Sequence, residues 1–261
     1  MISIVITTFN RGALVKRAIR SALDFCQALG GGEVICVDDF SSDGTVVDIQ
    51  SAFAKDLQER KLSLVLNSEN LGVTGAKNRG FEAARYPWVG FLDSDDFLRL
   101  EEVQAFKATL DKHPKTPILF FRCQDSGGHF VGTPFSEEQS LDLRRYLAFC
   151  SYGEALTFVN KPLIQGPPYL AELRGYEGLG CLRIIQTFGS AVLSPLILRI
   201  YDQSHPSRLS TLSGGFLKRL PLLAKGHRMV LHEFYAEMSP GHRFKLHLLS
   251  FVYGFLGKIT W

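Results

Sequence analysis

The sequence predicts an α/β fold in which a mostly parallel β-sheet is covered by helices on both faces. Over the first ~125 residues, short apolar runs alternate with stretches whose apolar residues recur at helical spacing. Apolar strands that alternate with helices are typical of a parallel sheet buried on both sides. The unusual polar residues of this region fall where the predicted strands end.

Each predicted element ends at residues that stop the preceding pattern. The first strand is a β-branched run followed by Asn10 and Gly12, and the first helix ends at three consecutive glycines. The second strand ends at Asp38 and Asp39, and a polar turn separates it from a helix-like stretch that reaches about Arg60. The four predicted strands are Ile2 to Thr8, Val34 to Val37, Leu62 to Leu66 and Trp88 to Leu92, and a loop and helix over Gly72 to Ala84 precede the last of them.

Length and composition exclude several classes of protein. With 261 residues, 46% of them hydrophobic and 21% charged, the chain can bury one large core or two small ones. A formal net charge of +3 is too small to indicate nucleic-acid binding, and no nucleic-acid partner is expected. The five cysteines show no C-x-x-C spacing, which favours buried free thiols over a disulfide or zinc framework. No secretory signal pattern opens the chain, so a cytoplasmic protein is expected.

Three carboxylates, those of Asp93, Asp95 and Asp96, directly follow the fourth predicted strand. At the end of a buried strand they would repel one another unless a cation or a positively charged ligand lay among them. A helix N-cap is the alternative, but a cap needs only one carboxylate. The cluster therefore predicts a metal site.

The other predicted strands also end in polar residues, namely Thr7 to Arg11, Asp38-Asp39 and Asn67. Ligands of open parallel sheets bind at this edge, so these side chains should converge on one crevice. Carboxylates suit a divalent cation and ribose hydroxyls, and Lys77 and Arg79 offer positive charge for phosphates, although a solvated helix face explains both cations equally well. The predicted ligand is a nucleotide diphosphate held mostly through a metal, because neither a G-x-G-x-x-G turn nor P-loop spacing is present.

Four segments, in this order, carry a resemblance to a known family: Ser3 to Arg11, Glu33 to Thr45, Asn70 to Gly80 and Phe91 to Asp96. Together they resemble the four signature blocks of the inverting family 2 glycosyltransferases, which have the GT-A fold. The resemblance covers residues 1–120 closely and residues 170–212 loosely. It implies a GT-A-type sheet, a nucleotide-sugar donor and Mg²⁺ or Mn²⁺ as cofactor.

The resemblance also implies roles for individual residues. Thr7, which stands where many members have proline, and Phe9 would flank the nucleotide base. Asp39 would accept a hydrogen bond from the base, unless it only caps the Asp43-Gly44 turn. Asp93 would face the ribose, while Asp95 and Asp96 would bind the metal. The other residues expected to bind the nucleotide sugar are Arg11, Lys77, His205 and Arg208, the last two from a later loop.

Inverting transfer also requires a base that removes the proton of the acceptor hydroxyl. Glu177 lies six positions before Arg183, which is similar to the acidic base motif of the family, with Tyr176-Glu177 in place of Glu-Asp. The resemblance therefore implies that Glu177 is the base. A surface glutamate at a helix start is the alternative interpretation, and Glu154 and Glu172 are the next candidates for the base.

Two parts of the chain are expected to differ in structure. Residues 1–212 are predicted to form the GT-A domain, with a nucleotide-sugar half over 1–120 and an acceptor half over 121–212. Residues 213–261 are predicted to form a helical, basic extension. Residues 123–170 contain few periodic runs, so we expect loops there that shape the acceptor pocket.

The tail has an amphipathic helical pattern between Arg243 and Lys258. Its apolar part is far shorter than the ~20 residues that a bilayer span needs. Two interpretations have equal weight: a helix lying in the membrane interface, or a helix packed on the protein or in a dimer contact. The predicted polar face comprises Arg243, His247, Ser250, Gly254 and Lys258, and the predicted apolar face comprises Phe244, Leu248, Phe251, Val252 and Phe255.

The expected function is metal-dependent, inverting transfer of a sugar from a nucleotide sugar, most simply a UDP-sugar, to a glycan or lipid-linked glycan acceptor. The expected setting is cell-surface polysaccharide or lipid-linked oligosaccharide assembly, with peripheral contact to the cytoplasmic face of a membrane. Two other classes stay open. A catalytically silent nucleotide-sugar-binding or scaffolding relative would explain the missing acid beside Glu177. A nucleotidyltransferase would need a glycine-rich first loop, which Thr7 to Arg11 does not form.

Overall fold

The N-terminal half of the sheet is parallel, as the sequence predicts. The structure is a computed structural model that describes residues 1–148, 154–202 and 215–259. Its first four strands are β1 (Ile2–Thr8), β2 (Gly32–Asp38), β3 (Leu62–Leu66) and β4 (Trp88–Asp93). Strand β1 pairs in parallel with β2 and β4, and β2 pairs in parallel with β3. The carboxyl ends of these strands therefore lie at the same edge.

Helices cover both faces of this half, which confirms the predicted layering. The helices are α1 (Gly12–Ala28), α2 (Thr45–Ala52), α3 (Ala54–Gln58), α4 (Gly72–Ala83) and α5 (Val103–Lys112). Helix α1 buries Val15 and Ile19 in the core on one face, and α4 buries Ala76 and Phe81 in the core on the other. The helix-like stretch that follows the second strand is interrupted at Phe53, whose φ of −122° ends α2.

The second half of the sheet is mixed. Its strands are β5 (Phe97–Leu98), β6 (Ile118–Asp125), β7 (Gln139–Leu141), β8 (Ala155–Asn160) and β9 (Ala191–Tyr201). The strand order is β3-β2-β1-β4-β8-β6-β9-β5, with β7 paired to β9. Strand β8 runs antiparallel to both β4 and β6, and β6 runs parallel to β9. Two more helices, α6 (Leu143–Ala148) and α7 (Glu177–Phe188), pack against this half.

The position of β8 corrects the expectation that residues 123–170 form only loops. This six-residue strand lies in the middle of the sheet and is buried on both faces. Phe158 belongs to one core and Val159 to the other. A short run that is buried on both faces has no polar alternation, so periodicity alone could not identify it as a strand.

The C-terminal extension is a pair of antiparallel helices, α8 (Phe216–Phe234) and α9 (Pro240–Ile259). Helix α8 is joined to α7 by an apolar cluster and by an ion pair of 2.7 Å between Arg183 and Glu233. The predicted domain boundary at residue 212 lies outside the described residues and stays a prediction. In the described ranges, no helix combines the length and the apolar character that crossing a bilayer requires.

Helix α9 packs on α8 through small residues and turns its apolar face outward. A Cβ on Gly257 would lie 2.8 Å from Cγ of Pro221, and one on Gly254 would lie 3.9 Å from Cβ of Ala224. Ser250, which belongs to the predicted polar face, is buried. The predicted apolar face is the exposed one: Phe244 is 71% exposed, Leu248 50%, Phe251 73% and Phe255 58%. Helix α9 therefore packs on the protein and also presents an apolar surface to the outside.

The described cysteines confirm the prediction of buried free thiols. Cys26, Cys36, Cys123 and Cys181 are all buried and unpaired. Burial raises the pKa of the Cys26 thiol to about 12, with a smaller contribution from the nearby Glu33 carboxylate. Cys150 lies outside the described residues.

Candidate functional site

The pairing of β1 with its neighbours brings the predicted donor residues to one edge. Thr7 is opposite Asp93 on β4, and Thr8 is opposite Asp38 on β2. Thr7 is buried at the strand end, whereas Phe9, two residues later, is 45% exposed. The strand-end residues therefore lie at one edge of the sheet, as the sequence predicted.

Asp39 organises the loop between β3 and α4. Its Oδ1 accepts hydrogen bonds from Nδ2 of Asn67 at 2.9 Å and from the backbone N–H of Leu71 at 2.8 Å. Its Oδ2 accepts one from the backbone N–H of Gly72 at 2.8 Å. The suggestion that Asp39 only caps the following turn is wrong, since Asp43 itself accepts the hydrogen bond from Thr45 N–H there. The predicted contact from Asp39 to a base stays a prediction.

Three buried oxygens at this edge have no hydrogen-bond partner among the described residues. They are Oγ1 of Thr8, Oδ1 of Asp38 and Oδ1 of Asn67, at the ends of three adjacent strands. Buried polar atoms are nearly always paired, with protein or with water. This part of the crevice is therefore suited to ordered water or a polar ligand.

Phe40 is an aromatic residue at this edge that the sequence analysis did not single out. It directly follows Asp39, is 56% exposed and has a φ of +70°. A left-handed backbone is uncommon for a bulky residue and is often found at functional sites. Two exposed aromatic rings, Phe9 and Phe40, therefore follow the ends of two paired strands, where a flat heterocycle could lie against them.

The acidic turn after β4 is held by cations of the chain itself. Arg199, near the end of β9 and 3% exposed, lies 3.4 Å from Oδ2 of Asp93 and 3.2 Å from Oδ2 of Asp96. Burial acts to raise the pKa of Asp93, but Lys77 and Arg199 outweigh it, so that the pKa is lowered. Burial raises the pKa of Asp96 to about 7, where Arg199 opposes the shift and the neighbouring carboxylates add to it.

Lys77 joins the acidic turn to the predicted base. Its Nζ lies 3.0 Å from Oδ1 of Asp93 and 3.0 Å from Oε1 of Glu177, and the side chain is 8% exposed. Burial acts to lower the pKa of Lys77, but the carboxylates of Asp93 and Glu177 raise it by more. The pKa therefore lies above its usual value, and the ammonium stays charged. The alternative interpretation, that Lys77 lies on a solvated helix face, is therefore wrong. That interpretation fits Arg79, which is exposed and, within the described ranges, pairs with Glu82 one turn later.

Arg11, which directly precedes α1, and Arg17 of α1 contact the outer part of the acidic turn. Nη1 of Arg11 lies 2.8 Å from Oδ2 of Asp95. Nη2 of Arg17 donates to the backbone carbonyl of Asp95 at 2.6 Å and lies 2.6 Å from Oδ2 of Asp202. The backbone N–H of Asp202 in turn donates to Oδ1 of Asp96 at 3.1 Å. The turn is thus fixed before any ligand binds.

The donor atoms fit a divalent cation at Asp95 better than at Asp96. Arg11 contacts one oxygen of Asp95, and Oδ1 accepts no hydrogen bond from the described part of the chain. Asp96 is fully buried against Arg199, so binding a metal would break that pair. The described residues contain no group of three or more metal-ligating side chains. Mg²⁺ is commonly bound by one or two carboxylates together with substrate phosphates, which suits a site of this kind.

Among the residues that the structure describes around the acidic turn, carboxylates outnumber cations, which suits a bound cation. The carboxylates are those of Asp93, Asp95, Asp96, Glu154, Glu177 and Asp202, and the cations are those of Arg11, Arg17, Lys77 and Arg199.

The other predicted site residues divide into three cases. Glu154 is 3.5 Å from Nη2 of Arg199 and so borders the acidic turn. Glu172 is exposed and pairs with Lys225 of α8 at 2.9 Å, away from the turn. His205 and Arg208 lie outside the described residues, and their roles stay predictions.

Arg199 is the main residue that the sequence analysis missed. The sequence around Arg199 contains a usable signal, because an arginine within an apolar strand is rarely buried without partners. It lies in the run Ile197-Leu198-Arg199-Ile200 of β9. Its partners Asp93 and Asp96 lie about 100 residues earlier in the chain, so only the fold brings them together.

Solved structures share this architecture. The structure of S. aureus TarS 1-349 in complex with UDP has a TM-score of 0.63 and 19% identity, with 87% of this chain and 65% of that chain covered. The mannosyltransferase PcManGT from Pyrobaculum calidifontis, in complex with GDP-Man and Mn²⁺, has a TM-score of 0.65 and 15% identity, with 99% and 73% covered. Likeness at these identities shows the fold alone, and it confirms the predicted GT-A-type fold.

The chain belongs to glycosyl transferase family 2, whose family model matches residues 3–160. The GalNAc(5)-diNAcBac-PP-undecaprenol beta-1,3-glucosyltransferase of Campylobacter jejuni is 27% identical over 179 residues, which are 67% of this chain and 57% of that protein. The succinoglycan biosynthesis protein ExoO of Rhizobium meliloti is 34% identical over 103 residues, which are 40% of this chain and 28% of that protein. The chain thus spans well under two thirds of the length of these relatives.

Proposed function

We propose that the chain transfers a sugar from a nucleotide-sugar donor to an acceptor hydroxyl with inversion at the anomeric carbon. The single observation that carries this proposal is the contact of Lys77 with both Asp93 and Glu177. It places a carboxylate from the start of α7 beside the acidic turn at which the donor diphosphate is expected. Family membership supports the same reaction class, and it makes a silent relative the less favoured alternative.

The donor would bind across the ends of β1, β2 and β4. Thr7 and Phe9 would flank the base, Asp39 would hold the loop beside it, and Asp93 would face the ribose. The two related structures are complexes with UDP and with GDP-Man. For this chain we propose a UDP-sugar as the donor. Lys77 and Arg11, with His205 and Arg208 from the later loop, would supply positive charge toward the diphosphate.

The proposed cofactor is Mg²⁺ or Mn²⁺, held by Asp95 and, if Arg199 moves aside, Asp96. When bound there, the cation would supply Lewis-acid stabilisation of the departing diphosphate. Arg11 would exchange its contact with Asp95 for one with a phosphate oxygen, because a guanidinium and a metal compete for the same carboxylate.

Glu177 is the proposed base. Lys77 contacts Oε1, which orients the carboxylate and leaves the second oxygen to accept the proton of the acceptor hydroxyl. The acceptor oxygen then forms its bond to the anomeric carbon as the bond from that carbon to the diphosphate oxygen breaks. For inversion, Glu177 would act on the face of the sugar opposite the leaving group, so that a single displacement inverts the configuration.

The proposed acceptor is a glycan or a lipid-linked glycan. The Campylobacter relative is named for a lipid-linked acceptor and ExoO for polysaccharide biosynthesis, so both settings occur among similar proteins. We propose peripheral contact with the cytoplasmic face of a membrane through the exposed apolar face of α9. The free thiols of the described cysteines suit the reducing side of that membrane.

Turnover with a panel of nucleotide sugars tests this proposal. Purified protein with Mn²⁺ should release nucleotide diphosphate from one class of donor, and proton NMR should show a product of inverted anomeric configuration. A retained configuration would contradict the single displacement. Tight UDP binding without release from any donor, with acceptor glycans present, would instead identify a silent binding relative.

A further inference from the structure

A groove between α8 and α9 is a second candidate site, separate from the crevice at the strand ends. Its volume is about 1070 Å³, comparable to the larger pockets that enclose small molecules. Its walls are mainly apolar and include Pro221, Leu231, Phe251 and Phe255. Phe251 and Phe255 also belong to the exposed face of α9, so the groove opens beside that face.

Arginine, lysine and histidine side chains line this apolar groove, and none of its described lining residues is acidic. Arg228 and His232 come from α8, and His247 and Lys258 come from α9. In the ranges that the structure describes, neither Arg228 nor Lys258 has a carboxylate within ion-pair distance. The nearby acids are engaged elsewhere: Glu233 pairs with Arg183, and Glu237 pairs with Arg144.

Arg228 of α8 reaches across to α9 at Gly254. A Cβ on Gly254 would lie 3.7 Å from Nη1 of Arg228, an ordinary contact distance. Along α9, His247 and Lys258 are eleven residues apart, which corresponds to about 16 Å of helix. An occupant of the groove would therefore be elongated and apolar, with a negative group within reach of Arg228.

We propose that this groove binds one anionic phospholipid of the membrane surface. A hydrocarbon chain lies along Leu231, Phe251 and Phe255, and the lipid phosphate contacts Arg228 and Lys258. Charge complementarity selects this occupant, because a neutral chain would leave both cations unpaired beside apolar walls. The inference rests on the peripheral membrane contact of the proposed function and adds a defined lipid site to it.

The test is calorimetric titration of the full chain with short-chain phosphatidylglycerol below its micelle concentration, with short-chain phosphatidylcholine and inorganic phosphate as separate arms. Saturable binding of phosphatidylglycerol alone is expected. The variant Arg228→Gln/Lys258→Gln should bind it at least ~10-fold more weakly, about 1.4 kcal/mol. The matched control Lys218→Gln removes an exposed cation of α8 outside the groove and should bind as the parent does.

Equal binding of phosphatidylcholine, binding of phosphate alone, or unchanged affinity in the double variant would overturn the lipid site. So would a dimer in analytical ultracentrifugation that dissociates in the double variant, because a second copy would then cover the groove. The measurement needs neither donor nor acceptor. A protein that binds phosphatidylglycerol but transfers no sugar refutes the proposed function alone, whereas one that transfers sugar without binding lipid refutes only this inference.

Discussion

Nζ of Lys77 lies 3.0 Å from Oε1 of Glu177, and the same ammonium lies 3.0 Å from Oδ1 of Asp93. The end of β4 and the start of α7 therefore share one buried cation. A carboxylate that starts a helix would otherwise be free to rotate into solvent. Held by Lys77, Glu177 keeps a fixed position relative to the acidic turn, as a base in a displacement reaction must.

Replacing the proposed base should separate chemistry from donor binding. Glu177→Gln should lower the turnover number by ~10²–10⁴ while the affinity for nucleotide diphosphate stays within a few-fold, since the base acts on the acceptor proton. Steady-state kinetics and calorimetry measure the two quantities. Glu172→Gln is a matched control, because Glu172 also pairs with a lysine but lies away from the turn. Parent turnover in Glu177→Gln would move the assignment to Glu154.

Removal of the Asp39 carboxylate should weaken both the fold and the donor site. Asp39→Ala leaves the donors of Asn67, Leu71 and Gly72 without their acceptor, and a buried unsatisfied group costs ~1–3 kcal/mol. We expect a loss of about 3 kcal/mol in urea unfolding. Asp39→Asn keeps the shape and should still fold, with UDP affinity at least ~10-fold weaker. An unchanged unfolding midpoint in Asp39→Ala would contradict the structural role.

The ion pair between α7 and α8 should give the stability of the protein a defined pH dependence. Two hydrogen bonds from Arg183, at 2.7 and 2.9 Å, hold the pKa of Glu233 below its usual value, although partial burial opposes them. A carboxyl group whose pKa is lowered on folding adds stability above its unfolded pKa of ~4.3. That contribution is lost as the pH falls through the lower, folded pKa.

Glu233→Gln should therefore cost ~1 kcal/mol at pH 7, a value limited by the partial exposure of the pair. At a pH below the lowered, folded pKa of Glu233, the variant and the parent should unfold at nearly the same urea concentration, because both side chains are then neutral. Glu237→Gln, which removes a more exposed pair with Arg144, should have the smaller effect at pH 7. An equal cost for Glu233→Gln at both pH values would show that the effect is packing and not charge.

The outward apolar face of α9 should bind membranes. Phe244→Ser/Leu248→Ser removes two exposed apolar side chains that do not line the groove beside α8. Co-sedimentation with anionic vesicles should weaken by at least ~10-fold, since binding of such helices scales with buried apolar area. Leu217→Ser, an exposed apolar residue of α8, is the control. If the double variant pellets like the parent, this face is not the membrane contact.

The sequence was sufficient to predict the parallel half of the sheet and the convergence of its strand ends. Continuous apolar strands and polar stops are local features, and parallel strands bring their carboxyl ends to one edge, where the structure places Thr7 opposite Asp93. Individual side-chain contacts between distant segments could not be predicted. Arg199 finds its partners only through the insertion of β8 and the return of β9.

The orientation of α9 shows another limit of sequence patterns. Periodicity separated an apolar face from a polar one but left open whether the helix contacts a membrane or the protein. An apolar stripe is normally the buried one. In the structure Phe244, Leu248, Phe251 and Phe255 of the apolar face are exposed, while the polar face includes both the buried Ser250 and the exposed Lys258. Helix α9 approaches α8 closely at Gly257, where a Cβ would lie 2.8 Å from Cγ of Pro221.

Thermal unfolding with UDP and Mn²⁺, for the parent and for Asp95→Asn, tests the central claim most directly. A ligand at 100 times its dissociation constant adds ~2.7 kcal/mol of stability, so the parent should melt several degrees higher with both ligands than with UDP and EDTA. Asp95→Asn keeps the shape of the turn and should lose only the increment that depends on Mn²⁺. An identical Mn²⁺-dependent shift in the parent and in Asp95→Asn would contradict a metal-assisted nucleotide-sugar site at the acidic turn.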